Sequence, residues 1–361
     1  MSGDPSAERI LVIGPSWVGD MVMAQALFMR LRDLSPGCLI DVMAPAWSEP
    51  LLARMPQVNR ALESPFQHGQ LDLAGRYRLG RQLRGRAYDR AIVLPNSFKS
   101  ALLPRFAGIA RRTGWRGEMR RPLLNDCRRL DRARYPLMLE RFVALADSPG
   151  ATLPDPLPRP ALQTHARDVR SARHVLDLHN ERPILALCPG AEFGTSKQWP
   201  PGHYAALAAE YIKAGWQVWL FGSKNDANAT TQIAESLEAT QHPYCRDLAG
   251  RTSLSQAIDL LSAATAVVSN DSGLMHVAAA LNRPLLALYG STSADFTPPM
   301  ADRVKLLATD IGCRPCFQRE CPLGHRACLT ALTPDFVAGH LRQLLDADPG
   351  AGQRLIIKPI D

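Results

Sequence analysis

Asp20 is the one carboxylate in "GPSWVGD" (14–20), a turn that follows the apolar run "ILVIG" and precedes the helix-like "MVMAQALFMRL". An acid at that point has two readings. As a helix N-cap it would contribute about 1 kcal/mol. As a general base it would take the proton from an acceptor hydroxyl as a sugar leaves its diphosphate. A helix N-terminus favours the charged carboxylate, which makes it a weak base at rest. Late proton transfer tolerates a weak base, provided stabilisation of the departing diphosphate supplies most of the barrier lowering. One acid without a paired acid suits a single displacement better than hydrolysis, which normally uses two carboxylates.

A second constellation is "SNDSGLMHVAAALNRPLLALYGSTSADFTPP" (269–299). A strand ends at Ser269, the turn runs Asn270-Asp271-Ser272-Gly273, and a helix follows. The first turn of such a helix offers free N–H groups and the positive end of the dipole, a seat for a diphosphate. Ser272 adds a hydroxyl, Gly273 permits close approach of a ligand, and His276 sits in the first helical turn. The competing reading is an ordinary cap by Asp271 or Ser272. A following strand that delivers "GSTS" to the same edge favours anion binding. In "PGAEFGTSKQWPPGHYAAL" (189–207), Lys197 precedes another helix and could neutralise phosphate as a point charge or lie on the surface. No G-x-G-x-x-G follows a strand and no G-x-x-x-x-G-K-[ST] occurs, which argues against hydride transfer and P-loop hydrolysis.

These residues need a sheet to hold them. "ILVIG", "LIDVMAP", "RAIVLPNS", "ILALCPG", "VWLFGS", "AVVSNDSG" and "LLALYGS" are short apolar runs that do not alternate, each closed by glycine or a polar loop. Such runs suit strands buried on both faces, hence parallel sheets flanked by helices. "SPGATLPDPLPRP" (148–160) carries five prolines and no periodicity, so it reads as a linker. The expectation is two doubly wound α/β domains facing each other across a cleft: residues 1–150, a linker 151–161, residues 162–345, and a polar tail 346–361. Ligands in such sheets sit beyond the carboxyl ends of the strands.

With 46% hydrophobic and 21% charged residues, the composition is that of a globular protein. The stretch "MSGDPSAERI" lacks an apolar h-region and no run approaches the roughly 18 apolar residues that span a bilayer, so a cytoplasmic protein is expected. Of the net +8, residues 76–134 supply most, with 17 basic residues against four acids. Arginine outnumbers lysine there 16 to one, which favours phosphate or carboxylate recognition by the guanidinium fork over a merely solvated surface. No nucleic-acid reader motif accompanies the charge, so nucleic acid is not expected as a partner.

The stretches "ILVIGPSWVGDMVMAQAL", "DVMAPAW", "VLPNSFKSAL", "AGIARRTGWRGEMR", "LCPGAEFGTSKQWP" and "NDSGLMHVAAALNRPLLALYGSTSADFTPP" together resemble the heptosyltransferase family of GT-B glycosyltransferases, over roughly residues 9–345. The resemblance implies a GT-B fold of two Rossmann-like domains, residues 1–150 binding acceptor and 162–345 binding ADP-heptose. It implies an inverting transfer of L-glycero-D-manno-heptose from ADP-heptose to the first heptose of the Kdo2–lipid A core, without a catalytic metal. The only D-x-D is Asp346-Ala347-Asp348, in the tail. The family's catalytic aspartate falls on Asp20 and its donor-phosphate lysine on Lys197. Its Asp-Thr-Gly-x-x-His motif falls on Asp271, Ser272, Gly273 and His276, with serine in place of threonine. Upstream of the lysine the family has threonines; Glu192 and Phe193 stand there in this chain, leaving Thr195 as the hydroxyl candidate. The basic stretch becomes the acceptor side, with Lys99, Arg116 and Arg120 as contacts to a glycolipid, held peripherally at the inner face of the inner membrane by charge. Heptosyl transfer to a different core acceptor, and a non-catalytic nucleotide-sugar or polyanion-binding module, are the alternatives.

Four of the eight cysteines, Cys313, Cys316, Cys321 and Cys328, cluster in "CRPCFQRECPLGHRAC", with His325 among them. The C-x2-C spacing is compatible with a structural zinc. The C-x4-C and C-x6-C spacings are tight for one, which leaves a redox-labile pair or inert thiols as the other readings. No catalytic role and no cofactor for catalysis are expected here.

Overall fold

The apolar runs fold as the inner strands of two parallel sheets. The computed structural model describes residues 7–67 and 69–347, and the chain divides into two units between Pro160 and Ala161. That boundary falls at the end of the proline-rich stretch.

In the first unit the strands are β1 (Arg9–Ile13), β2 (Leu39–Ala44), β3 (Val58–Glu63), β4 (Arg90–Val93), β5 (Arg111–Trp115) and β6 (Asp126–Arg128). They lie in the order β3-β2-β1-β4-β5-β6, with every pair parallel. In the second unit they are β7 (Ile184–Cys188), β8 (Gln217–Leu220), β9 (Cys245–Asp247), β10 (Ala266–Asn270), β11 (Leu285–Tyr289) and β12 (Val304–Ala308). Their order is β12-β11-β10-β7-β8-β9, again all parallel. Counted within its own unit, each sheet follows the doubly wound order 3-2-1-4-5-6. The order reverses between β1 and β4 in one sheet and between β7 and β10 in the other. Within each unit, the loops leaving the carboxyl ends of the two strands at the reversal flank the crevice where such a sheet binds ligands.

The central strands read as continuous apolar runs because helices cover both faces. In β7, β10 and β11 every residue is buried. Trp199, Trp219, Tyr204 and Tyr289 are among the largest fully buried side chains. The helix Pro334–Asp346 returns to the second unit and buries Val337, Ala338, Leu341 and Leu344 in the core around Leu185 and Leu187. Asp346 is thus the last residue of a packed helix, while Asp348 and the rest of the tail lie outside the described residues.

Candidate active site

The second unit assembles its site from three strand ends. Beyond β10, Ser272 takes the N-cap position of the helix Gly273–Ala280 in extended conformation, yet its side chain makes no capping bond. Asp271 does not turn back to the helix either. Its carboxylate accepts a hydrogen bond from Lys197 Nζ at 2.7 Å and from Thr292 Oγ1 at 2.6 Å. Lys197 comes from the loop after β7 and Thr292 from the loop after β11, so one acid ties three loops together. The ion pair is mostly shielded, with Lys197 and Asp271 side chains 15% and 6% exposed. A desolvated pair of this kind is costly to break, because the remaining charge is left buried. The ordinary-cap reading of "NDSG" is not what the chain does. The helix head is without a side-chain cap and its lysine is held beside it.

Asn270 performs the same service one residue earlier. Its Oδ1 accepts from the Trp199 N–H at 3.1 Å and the Tyr204 hydroxyl at 3.0 Å, and its Nδ2 donates to the Pro189 carbonyl at 2.6 Å. Trp199 is anchored in turn by Nε1 donating to the Leu332 carbonyl at 2.7 Å and by edge-on packing against Tyr204. The Lys197 loop is therefore clamped at both ends. Thr195 opens a short 3-10 turn, Thr195–Lys197, and is exposed beside the lysine. His276 is buried one turn into the helix. Burial pushes its imidazole down to about 4, with Lys197 acting in the same direction and Asp271 opposing, so it is neutral at pH 7 and adds no charge to the anion seat. Asn270, Thr292, Trp199 and Tyr204 were not singled out by sequence reasoning; the signal for two of them is a polar residue at a buried strand's end, Asn270 as the last of β10 and Thr292 three residues past β11.

In the first unit, Asp20 lies in the first turn of the helix Val18–Leu34 and is half-buried. Trp17, 52% exposed, holds the N-cap position, so Asp20 sits inside the helix rather than capping it. Gly14 closes β1 where a Cβ would meet Met21 Cε at 2.8 Å, which lets the helix start close to the sheet. Lys99, half-buried, is in the first turn of the helix Phe98–Phe106 after β4. Asp20 and Lys99 thus flank the β1/β4 reversal. Arg116 is exposed beyond β5, and its side chain forms no hydrogen bond or ion pair among the described residues.

Arg120 stands apart from these. It is fully buried, and its guanidinium donates to the carbonyls of Trp115 and Pro95 and, at 2.9 Å, to Asn96 Oδ1. It braces the loops after β4 and β5 from within, where buried carbonyls need donors; the Pro95 carbonyl also accepts from the Ser100 hydroxyl at 3.0 Å. Much of the arginine-rich stretch behaves likewise. Arg76, Arg84, Arg90, Arg112, Arg128 and Arg134 each donate to main-chain carbonyls.

The structure shows how the four cysteines of the cluster are placed. Among the described residues no group of three or more His, Cys, Asp or Glu is arranged to hold a metal ion. Cys313, Cys316, Cys321 and Cys328 all line one cavity with His325; Cys313 is exposed and Cys328 is buried.

The chain matches the family model "Glycosyltransferase family 9 (heptosyltransferase)" over residues 76–327. It is 51% identical over 342 residues to lipopolysaccharide heptosyltransferase 2 of Escherichia coli K12, covering 93% of this chain and 98% of that protein. It is 48% identical over 347 residues to lipooligosaccharide heptosyltransferase 2 of Haemophilus ducreyi, covering 93% and 99%. The solved structure of E. coli ADP-heptose lps heptosyltransferase II superposes with a TM-score of 0.86 at 50% identity, covering 93% of this chain and 98% of that one.

Proposed function

The chain belongs to glycosyltransferase family 9, the heptosyltransferases, and from that premise we propose that it moves L-glycero-D-manno-heptose from ADP-heptose to the first heptose of a Kdo2–lipid A inner core. The observation that carries the reading is the Lys197–Asp271–Thr292 chain beside the uncapped head of the helix Gly273–Ala280. An ammonium fixed by one hydrogen bond keeps two donors for the donor's diphosphate, and the free N–H groups of the first turn add to it. Ser272 contributes its hydroxyl, Thr195 stands beside the lysine, and Gly273 presents no side chain to the phosphates.

Asp20 takes the acceptor's proton as the new bond to the anomeric carbon forms and the bond to the diphosphate oxygen breaks. Attack opposite the leaving group inverts that carbon. Negative charge grows on the departing ADP, where Lys197 and the helix head are already oriented, so little reorganisation is needed in the transition state. Catalysis requires no metal in this scheme. Lys99 and Arg116 meet the anionic groups of the acceptor; Arg120 supports their loops.

Among the described residues no helix is long and apolar enough to cross a membrane. Contact with a lipid-borne acceptor at the inner face of the inner membrane would then come from exposed arginines, at about 1 kcal/mol per basic side chain near an anionic surface. The test is incubation of the protein with ADP-heptose and core acceptors carrying zero, one or two heptoses, with products read by mass spectrometry. Heptose added to the one-heptose acceptor alone is expected. Addition to the zero- or two-heptose acceptor instead would reassign the acceptor, and no addition to any would remove the transferase reading.

A further inference from the structure

The cysteine-bearing segment touches the site that the reading above assigns to the donor. Ser196, between Thr195 and Lys197, is buried; its N–H donates to the Arg319 carbonyl at 3.1 Å and its hydroxyl to the Gln318 carbonyl. The Ser196 hydroxyl is also 2.9 Å from that of Ser291. Phe317 N–H donates to the Ser291 carbonyl at 2.8 Å, and Arg314 donates to the carbonyls of Gly290, Thr309 and Thr292. Gly194 packs so tightly on the Arg319 carbonyl that a Cβ would collide with it. Residues 314–319 are therefore a clasp over both loops that hold Asp271.

Behind the clasp lies the cavity lined by Cys313, Cys316, Cys321 and Cys328 together with Ser196 and Ser291. It reaches the surface at Leu323, which lines it and is 61% exposed. Cys321 is two residues from Arg319 and lines the cavity together with Ser196; the backbone N–H of Arg326, and then those of Leu323, Gly324 and His325, act on its thiol. These favour the thiolate and hold it below the usual thiol range. Buried Cys328 is pushed the other way. Arg314 and His325 are the basic side chains that line the cavity.

We propose that this thiol-lined cavity is a modification site for small anionic disulfides, with Cys321 as the attacking sulfur, and that its occupation loosens the clasp on the donor loops. The Cys321 thiolate attacks one sulfur of the disulfide. A new sulfur–sulfur bond forms, the original one breaks, and the second half leaves as a thiolate with the bonding pair. The bulk added at Cys321 displaces residues 317–319 and releases Ser196. The consequence for nucleotide binding rests on the donor-site reading; the release of Ser196 does not.

The test uses the full chain treated with oxidised glutathione. The adduct is mapped by mass spectrometry, amide exchange at Ser196 is followed, and ADP affinity is measured before and after reduction. Expected are a first adduct on Cys321, faster exchange at Ser196, and an ADP affinity lowered about fivefold to tenfold, roughly one lost hydrogen bond. Reduction should reverse all three, and Cys321→Ser should bind ADP normally while resisting the treatment. A first adduct on exposed Cys313, or unchanged exchange at Ser196 in the Cys321 adduct, overturns the proposal. Failure of untreated protein to bind ADP would sink the donor reading instead, with Ser196 exchange still deciding this one.

Discussion

The two sheets share one strand order but use their carboxyl edges differently. In the second unit, acid, lysine, amide and hydroxyl side chains bond to each other across three strand ends, with Asp271 accepting from Lys197 and Thr292 and Asn270 accepting from Trp199 and Tyr204. In the first unit the bonds run from arginine side chains to loop carbonyls, and Asp20 and Lys99 stand half-buried at the β1/β4 reversal. On the proposed reading, a diphosphate needs a preset, partly desolvated cation, which the second unit's wired edge would supply. The first unit's edge braces its loops by main chain and leaves charged groups at its surface, as a bulky acceptor would require. The topology is the same, and the difference lies in what leaves the strand ends.

The comparison breaks most visibly at Asp20. Asp20→Asn should lower kcat by about 10²- to 10⁴-fold while leaving ADP affinity unchanged, since it removes the proton acceptor only. Near-normal transfer in steady-state assays would take that residue out of the reaction. At the wired edge, Lys197→Met removes the cation proposed to face the phosphates and leaves Asp271 with Thr292 alone, so kcat/KM should fall by roughly 10²-fold and ADP binding with it. Calorimetric titration with ADP separates this outcome from the Asp20 one.

Arg120→Leu addresses the bracing role. It should cost about 2–4 kcal/mol of stability in denaturant melts, because buried carbonyls lose their donors, with the acceptor KM of the folded enzyme little changed. A selective rise in acceptor KM would return Arg120 to the binding surface. His276 gives a pH signature of order 1–3 kcal/mol. Its imidazole titrates at about 4 when folded and 6.5 ordinarily, so the unfolded chain takes the proton first. This part of the stability is complete above about pH 6.5 and is lost as pH falls toward 4. Melting temperatures of His276→Gln should show less acid sensitivity over that window. The smallest effect belongs to exposed Arg116. Arg116→Ala should raise acceptor KM about threefold to tenfold at low salt, and the difference should shrink as salt screens it; a salt-independent change would argue against a charge contact.

The seven strands legible as apolar runs are β1, β2, β4, β7, β8, β10 and β11, all interior to their sheets. The five not legible include all four edge strands. β3 is half exposed and carries Asn59 and Arg60, while β6 and β9 are three residues long and polar. β5, "RRTGW", is inside the sheet but opens with two arginines at its solvent end. In β3, β6 and β9 the edge position removes the need for a continuous apolar run, so the pattern that marks a strand is missing; β12, "VKLLA", has four of five residues buried, and Lys305 interrupts its run. The linker showed itself by proline, and the candidate residues by their place just past glycine-closed apolar runs.

By itself, then, the chain's sequence determined two parallel-sheet units and the positions of Asp20, Lys197 and the 271–276 turn, because burial on both faces and sharp strand-to-helix turns leave a local mark on composition. Tertiary structure alone decided that Asp271 binds Lys197 and Thr292 rather than its own helix, that Arg120 faces inward while Arg116 faces out, and that the four thiols meet around a cavity without forming a metal cage. A side chain's partner is whatever the fold brings within about 3 Å of it, and residues 74 or 25 positions away leave no local mark of that meeting.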